Sequence, residues 1–175
     1  MMIGHVVVSH GFDANPQGTK ALACAAAARA LGWTEERPDY RPFDTRLDKS
    51  SLGDVEARID HLRAIAQRCA RPLVLAGSSL GAFICARVSL DVPVAGLFLM
   101  APPVWLHEYD FALQAAKVPT WVVHGWNDEI ITAMSVAAWA QARDIRTTFV
   151  PDTHRLEGHV DYCGQQFGQF LQALQ

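Results

Sequence analysis

Residues 72–88 read Pro-Leu-Val-Leu-Ala-Gly-Ser-Ser-Leu-Gly-Ala-Phe-Ile-Cys-Ala-Arg-Val. An apolar run of strand character leads into Gly77-Ser78-Ser79-Leu80-Gly81, and a helix-forming run leads out of it. In that setting a Gly-x-Ser-x-Gly pentapeptide predicts a sharp strand-to-helix turn with Ser79 at its tip. The turn strains the serine backbone, so the residues two before and two after must be small, and Gly77 and Gly81 meet that need. It also lifts the Ser79 hydroxyl above the carboxyl end of the sheet. The Leu80 N–H then falls at a helix start, where amide donors lack intrahelical partners and favour a developing negative charge.

Outward from this turn the chain alternates. Strand-like runs occupy Ile3–Ser9, Leu73–Ala76, Val94–Met100, Thr120–His124 and Thr147–Val150, with a weaker one at Arg37–Tyr40. Helix-like stretches at Thr19–Leu31, Gly53–Ala70, Ala82–Ser89, Met134–Ala142 and Cys163–Leu174 separate them. Within Asp54–Ala70 the apolar residues Val55, Ile59, Leu62, Ile65 and Ala66 recur at helical spacing. Alternation of this kind implies a mostly parallel sheet covered by helices on both faces, an α/β/α sandwich. The 175 residues are expected to form one domain, 1–175.

Composition narrows the function classes. The formal net charge is −3, spread along the chain, with no block of Lys and Arg to track a nucleic acid. Residues 1–9 hold a short apolar run without a basic lead, and no stretch reaches membrane-spanning length. Cys24, Cys69, Cys85 and Cys163 form no Cys-x-x-Cys pair and read as free thiols of a reducing cytoplasm. The expectation is a cytoplasmic protein with neither nucleic-acid nor membrane partners. The histidines show no His-x-x-x-His spacing, so no metal site is expected.

In a doubly wound sheet the strand order reverses between the first strand and the strand bearing Ser79, and ligands bind in the crevice between their carboxyl ends. That brings Ser9-His10-Gly11-Phe12 beside Ser79. The His10-Gly11 turn can then aim the Phe12 N–H at the oxygen that the Leu80 N–H addresses, making an oxyanion hole.

A serine nucleophile needs a base, and the base needs an orienting group. Asp128 lies in the loop after the Thr120–His124 run, on the same sheet edge as Ser79. Its neighbour Glu129 should point the other way. His154 follows the last strand-like run and falls at the same edge. The rival base, His159, sits close enough to the final helix to be carried away from the crevice. His5, His61 and His107 read as strand, helix and loop residues, and His124 as a local support for the Asp128 loop. The expected triad is Ser79, Asp128 and His154.

These segments together resemble the α/β-hydrolase superfamily, and the likeness runs almost end to end. Ser9–Phe12 resembles its oxyanion turn, Gly77–Gly81 its nucleophile elbow, His124–Asp128 its acid loop and Asp152–Leu156 its histidine loop. The likeness is greatest to short bacterial esterase-like members without a lid. Departures follow from the short chain. The strand bearing the oxyanion turn comes first, so six strands in the order 2-1-3-4-5-6 are expected. Ala101–Lys117 is too short for a cap domain. That segment, with Trp105 and Leu106, is either one wall of an acyl pocket or a loop packing its aromatics on the sheet, and Phe12 and Trp126 carry the same two readings. Asp39 matches a family turn only without its glycines and receives no role.

The activity implied is hydrolysis of a small carboxylic ester or thioester through an acyl-enzyme, with no cofactor. The alternatives are amide or peptide hydrolysis by the same triad, and a protein-binding module that keeps the fold. A module has no physical need of an intact Ser-Asp-His set.

Overall fold

The computed structural model describes residues 3–175. Six strands form one sheet in the order β2-β1-β3-β4-β7-β8, every neighbouring pair parallel. They are β1 His5–Ser9, β2 Thr34–Glu36, β3 Leu73–Ser78, β4 Gly96–Met100, β7 Thr120–Gly125 and β8 Arg146–Val150. With the small hairpin β5 Trp105–Leu106 and β6 Phe111–Ala112 set aside, this is the expected order. The order reverses at the β1–β3 pair, whose register runs from His5 opposite Leu73 to Ser9 opposite Gly77.

Strand alternation decides which residues face which helices. Val6, Val8, Val74, Ala76, Phe98 and Met100 point to the face covered by α1 Thr19–Ala30 and α6 Val160–Ala173. Val7, Leu73, Leu75, Leu97, Leu99 and Val122 point to the opposite face. There α3 Val55–Arg68, α4 Leu80–Val88 and α5 Ala133–Gln141 cover them with Ile59, Leu62, Phe83 and Val136. The helix α2 Arg41–Asp44 is a single short turn leading towards α3. The Ala-rich α1 packs against α6 as well as on the sheet. A Cβ at Gly164 would stand 3.2 Å from that of Ala23, so small residues on both helices allow the approach.

Two expectations are corrected. The second strand is Thr34–Glu36 rather than Arg37–Tyr40, because parallel pairing with β1 aligns Thr34 with His5 and Glu36 with Val7. Pro38 lacks the N–H that a longer ladder would use. The final helix begins at Val160, three residues earlier than its apolar pattern suggests, with His159 at its N-cap position. No described helix is long and apolar enough to cross a membrane.

The Ala101–Lys117 segment holds the β5–β6 hairpin and a short 3-10 turn at His107–Tyr109, and no cap domain. Leu106 and Leu113 anchor it in the core, and the Trp139 indole N–H donates to the Leu113 carbonyl at 2.9 Å.

Candidate active site

The β3–α4 turn holds Ser79 at φ 53° and ψ −122°. A non-glycine residue adopts positive φ only where its surroundings impose it. Here the flanking glycines supply the room. A Cβ at Gly77 would stand 2.6 Å from the Ala82 nitrogen, and one at Gly81 would stand 2.7 Å from the His10 carbonyl oxygen. The Ser79 N–H donates to the Met100 carbonyl at 2.8 Å, tying the turn to the end of β4. Leu80 opens α4, so its N–H belongs to the first turn, where no helical carbonyl is available.

Asp128 organises its own loop. Its Oδ1 accepts from the backbone N–H groups of Ile130 at 2.9 Å and Ile131 at 2.7 Å, the short-range pattern by which Asp stabilises turns. Its Oδ2 is left facing His154, whose Nδ1 lies 2.7 Å away. Burial raises the Asp128 pKa, but the His154 bond and the two amides outweigh burial and hold the carboxyl below its ordinary range. A carboxylate can only accept, so His154 Nδ1 carries the proton and Nε2 keeps its lone pair. That nitrogen lies 2.9 Å from Ser79 Oγ, in line to accept the hydroxyl proton. Ser79, His154 and Asp128 thus form one hydrogen-bonded chain spanning three loops.

The His154 loop is braced on several sides. Asp152 accepts from Thr153 N–H at 2.7 Å, Gly158 N–H at 3.0 Å and His159 Nδ1 at 2.8 Å. Glu129 accepts from the His154 backbone N–H at 3.1 Å, so it touches the loop and not the imidazole. His159 is committed to Asp152 rather than to Ser79. The Lys20 ammonium donates to the Arg155 carbonyl. Beside Asp128, His124 is fully buried. Its Nε2–H donates to the Ile131 carbonyl at 2.9 Å and lies 3.4 Å from Asp128 Oδ2, while its Nδ1 has no partner.

A cleft of about 470 Å³ opens over Ser79 and His154, and its larger apolar lining residues include Phe12, Leu52, Met100 and Ile130. Ser9, His10 and Gly11 line it too, so the turn after β1 shares the cleft with Ser79. Three of the candidate substrate contacts are not among its lining residues. Trp126, 53% exposed, stacks on Phe149 at 4.5 Å between ring centroids. Trp105 is an exposed hairpin residue, and Leu106 is buried in the core under it. Leu52 and Ile130 stand there instead. Ile130 follows from the Asp128 turn that presents it, whereas Leu52 belongs to an irregular segment with no local motif.

Among the described residues, His5, Glu36 and Cys69 group their potential ligand atoms within 4.8 Å. They lie towards the amino end of β1, away from Ser79 and His154, and Glu36 is ion-paired there with Arg68 at 2.6 Å.

A profile of the alpha/beta hydrolase family matches residues 6–173. The chain belongs to this family. It is 47% identical to a protein from Xanthomonas campestris pv. campestris, covering 97% of this chain and 99% of that one, with a TM-score of 0.94. That relative's name assigns it to the hydrolases of the alpha/beta superfamily and states no substrate. An alpha-beta serine hydrolase homologue from Coxiella burnetii is 25% identical over 96% of this chain and 85% of that chain, with a TM-score of 0.76. Est1E from Butyrivibrio proteoclasticus, solved with ferulic acid bound, shares the fold at 15% identity. Its TM-score is 0.78, over 98% of this alpha/beta hydrolase and 89% of Est1E. No match was found among curated proteins.

Proposed function

We propose that this alpha/beta hydrolase is a serine hydrolase that cleaves a small carboxylic ester or thioester through an acyl-enzyme. The observation that carries the reading is His154 bridging Ser79 Oγ at 2.9 Å and Asp128 Oδ2 at 2.7 Å. His154 Nε2 takes the Ser79 proton as Oγ attacks the carbonyl carbon. Asp128 fixes the imidazole tautomer and stabilises the imidazolium that forms. The N–H groups of Phe12 and Leu80 receive the developing oxyanion. His154 then returns the proton to the leaving alcohol or thiol. Water repeats the cycle on the acyl-enzyme and frees the acid.

The apolar residues Phe12, Leu52, Met100 and Ile130 in the cleft lining support a short acyl group as the part bound beside Ser79. None of these steps calls on a metal or organic cofactor. Four free thiols, three of them buried, support work in a reducing compartment, the cytoplasm.

The test is covalent labelling with a fluorophosphonate, together with hydrolysis of p-nitrophenyl esters of increasing acyl length. Wild type should label and turn over the short esters, and Ser79→Ala should do neither. Absence of labelling in folded wild type sinks the reading in favour of a binding module. Turnover confined to anilides would move it to an amidase.

A further inference from the structure

The buried face of α3 carries one residue that its apolar spacing does not explain. Val55, Ile59, Leu62, Ile65 and Ala66 face the core, and Arg58 occupies a position in the same stripe with 0% exposure. A guanidinium is costly to bury, and an ion pair alone gives little net return for that cost. Its partners point to another use. Asp44 grips it twice, at 2.6 Å on Nε and 2.6 Å on Nη2. The remaining donors reach away from Asp44 to two successive carbonyls of the β1 turn, Nη1 to His10 at 3.0 Å and Nη2 to Gly11 at 3.1 Å.

We propose that Arg58, oriented by Asp44, is a positioning residue that sets the Gly11–Phe12 peptide as an oxyanion donor, an inference that rests on the hydrolase reading above. The Gly11 carbonyl and the Phe12 N–H belong to one planar peptide unit. A donor fixed on the oxygen therefore determines where the N–H points. Gly11 needs such a fix: a Cβ there would stand 3.2 Å from the Ser78 carbonyl, and the glycine that permits this approach leaves its backbone free to turn. The same carbonyl takes a second donor, His10 Nδ1–H at 2.7 Å. That tautomer is set because His10 Nε2 accepts from the Tyr40 N–H at 2.9 Å. A cation on the carbonyl oxygen also draws electron density through the amide and strengthens the N–H as a donor. The fork is specific to arginine, since one ammonium cannot span a carboxylate and two carbonyls in a plane. Tyr40 cushions it, with Arg58 Cζ 4.7 Å from the ring centroid and the Tyr40 hydroxyl 2.8 Å from Ser9 Oγ.

The experiment measures kcat, KM and thermal stability for Arg58→Lys and Asp44→Asn, with the affinity of a short alkyl boronic acid as a mimic of the tetrahedral adduct. Folded Arg58→Lys should lose kcat by about 10- to 100-fold, the scale of weakening one oxyanion donor. Its KM should stay within about threefold, and boronate affinity should fall in step with kcat. The acid limb of the pH–rate profile should not move, because neither residue touches His154. Should Arg58→Lys fail to fold, the milder Asp44→Asn carries the test with a smaller loss of the same pattern. A folded variant with wild-type kcat and boronate affinity overturns the proposal while leaving the hydrolase reading intact. A loss of kcat that a stabilising osmolyte restores overturns it in favour of a purely structural pair. A wild-type protein without Ser79-dependent turnover overturns both.

Discussion

Gly81 and Ser9 meet backbone to backbone: a Cβ on Gly81 would overlap the Ser9 carbonyl oxygen and stand 2.7 Å from that of His10. The first turn of α4 thus rests directly on the end of β1, and this contact brings the Phe12 turn to the level of Ser79. Gly81→Ala must push apart two backbone segments that no side-chain rotation can relieve. The cost should match or exceed that of overpacking a core, roughly 1–3 kcal/mol. It should appear as a lowered denaturation midpoint, with activity falling further than stability because the oxyanion turn is displaced. A variant as stable and active as wild type would show that the elbow has slack.

Ser79→Ala should remove ester hydrolysis by several orders of magnitude and leave the fold intact, since the hydroxyl faces the cleft and His154 rather than the core. His154→Ala should cost as much, and the double variant little more, because the two act as one unit. Ser78→Ala should be mild. A stopped assay with comparable protein concentrations decides this, and the nucleophile moves to Ser78 if the two serine variants exchange phenotypes.

The legible parts of the chain were those where local sterics permit one answer. Gly77-x-Ser79-x-Gly81 needs both glycines for a positive-φ serine, so the elbow could be read from that spacing between a strand-like and a helix-forming run. The unbroken run Val6-Val7-Val8 likewise implies a strand buried on both faces. Asp128 was legible from its place in the loop after a strand-like run, and the structure adds that its carboxylate caps that loop. Non-local pairings were not. The second strand ends at Glu36 because of its register with β1, which its own residues do not encode. The sequence leaves Trp126 with two readings, pocket wall or packing, and the partner it stacks on, Phe149 of β8, is remote in the chain. Arg58 carried a readable signal, a charge within an apolar helical stripe, but its partners Asp44, His10 and Gly11 come from distant segments.

Asp128→Asn separates the acid from its neighbour. The amide keeps an oxygen for the Ile130 and Ile131 N–H groups, so the loop should survive, but it presents either a donor or a weaker acceptor to His154 Nδ1. A loss on the order of 10⁴ in kcat is expected for a triad acid replaced this way. Glu129→Gln retains an acceptor for the His154 backbone N–H and should change kcat by less than about tenfold, roughly 1.4 kcal/mol in barrier. Reversal of the two effects would transfer the acid role to Glu129.

The Asp152–His159 pair makes a different prediction, about the loop rather than the chemistry. Asp152 gathers Thr153, Gly158 and His159 around the segment that carries His154. His159→Ala removes one of three bonds and should lower kcat by less than about tenfold. Asp152→Ala removes all three and should cost more, with faster amide exchange across 152–158. If His159→Ala matches Ser79→Ala in severity, the base is His159.

Acid should destabilise the fold in two steps of distinct origin. Burial holds the pKa values of His5, His10 and His124 below the ordinary 6.5. For these groups the unfolded chain binds the proton first, so their contribution is complete above about pH 6.5 and is lost as the pH falls through their folded values. Burial is the main cause at His10, and the geometry acts the same way: its Nε2 accepts from the Tyr40 N–H, which a protonated ring cannot do. Asp128 and Asp152 lie below the ordinary 3.8, where hydrogen bonds to their carboxylates outweigh burial. Their contribution is present above that pH and is lost as the pH falls through their own depressed values. Urea unfolding from pH 8 to pH 3 should therefore show stability declining first below about pH 6.5 and again below about pH 4. His10→Asn should make the first decline shallower, because an amide has no proton to take up while His5 and His124 keep their shares. Stability that stays level from pH 7 to pH 4 would mean that these imidazoles bind protons as readily in the folded protein as in the unfolded chain.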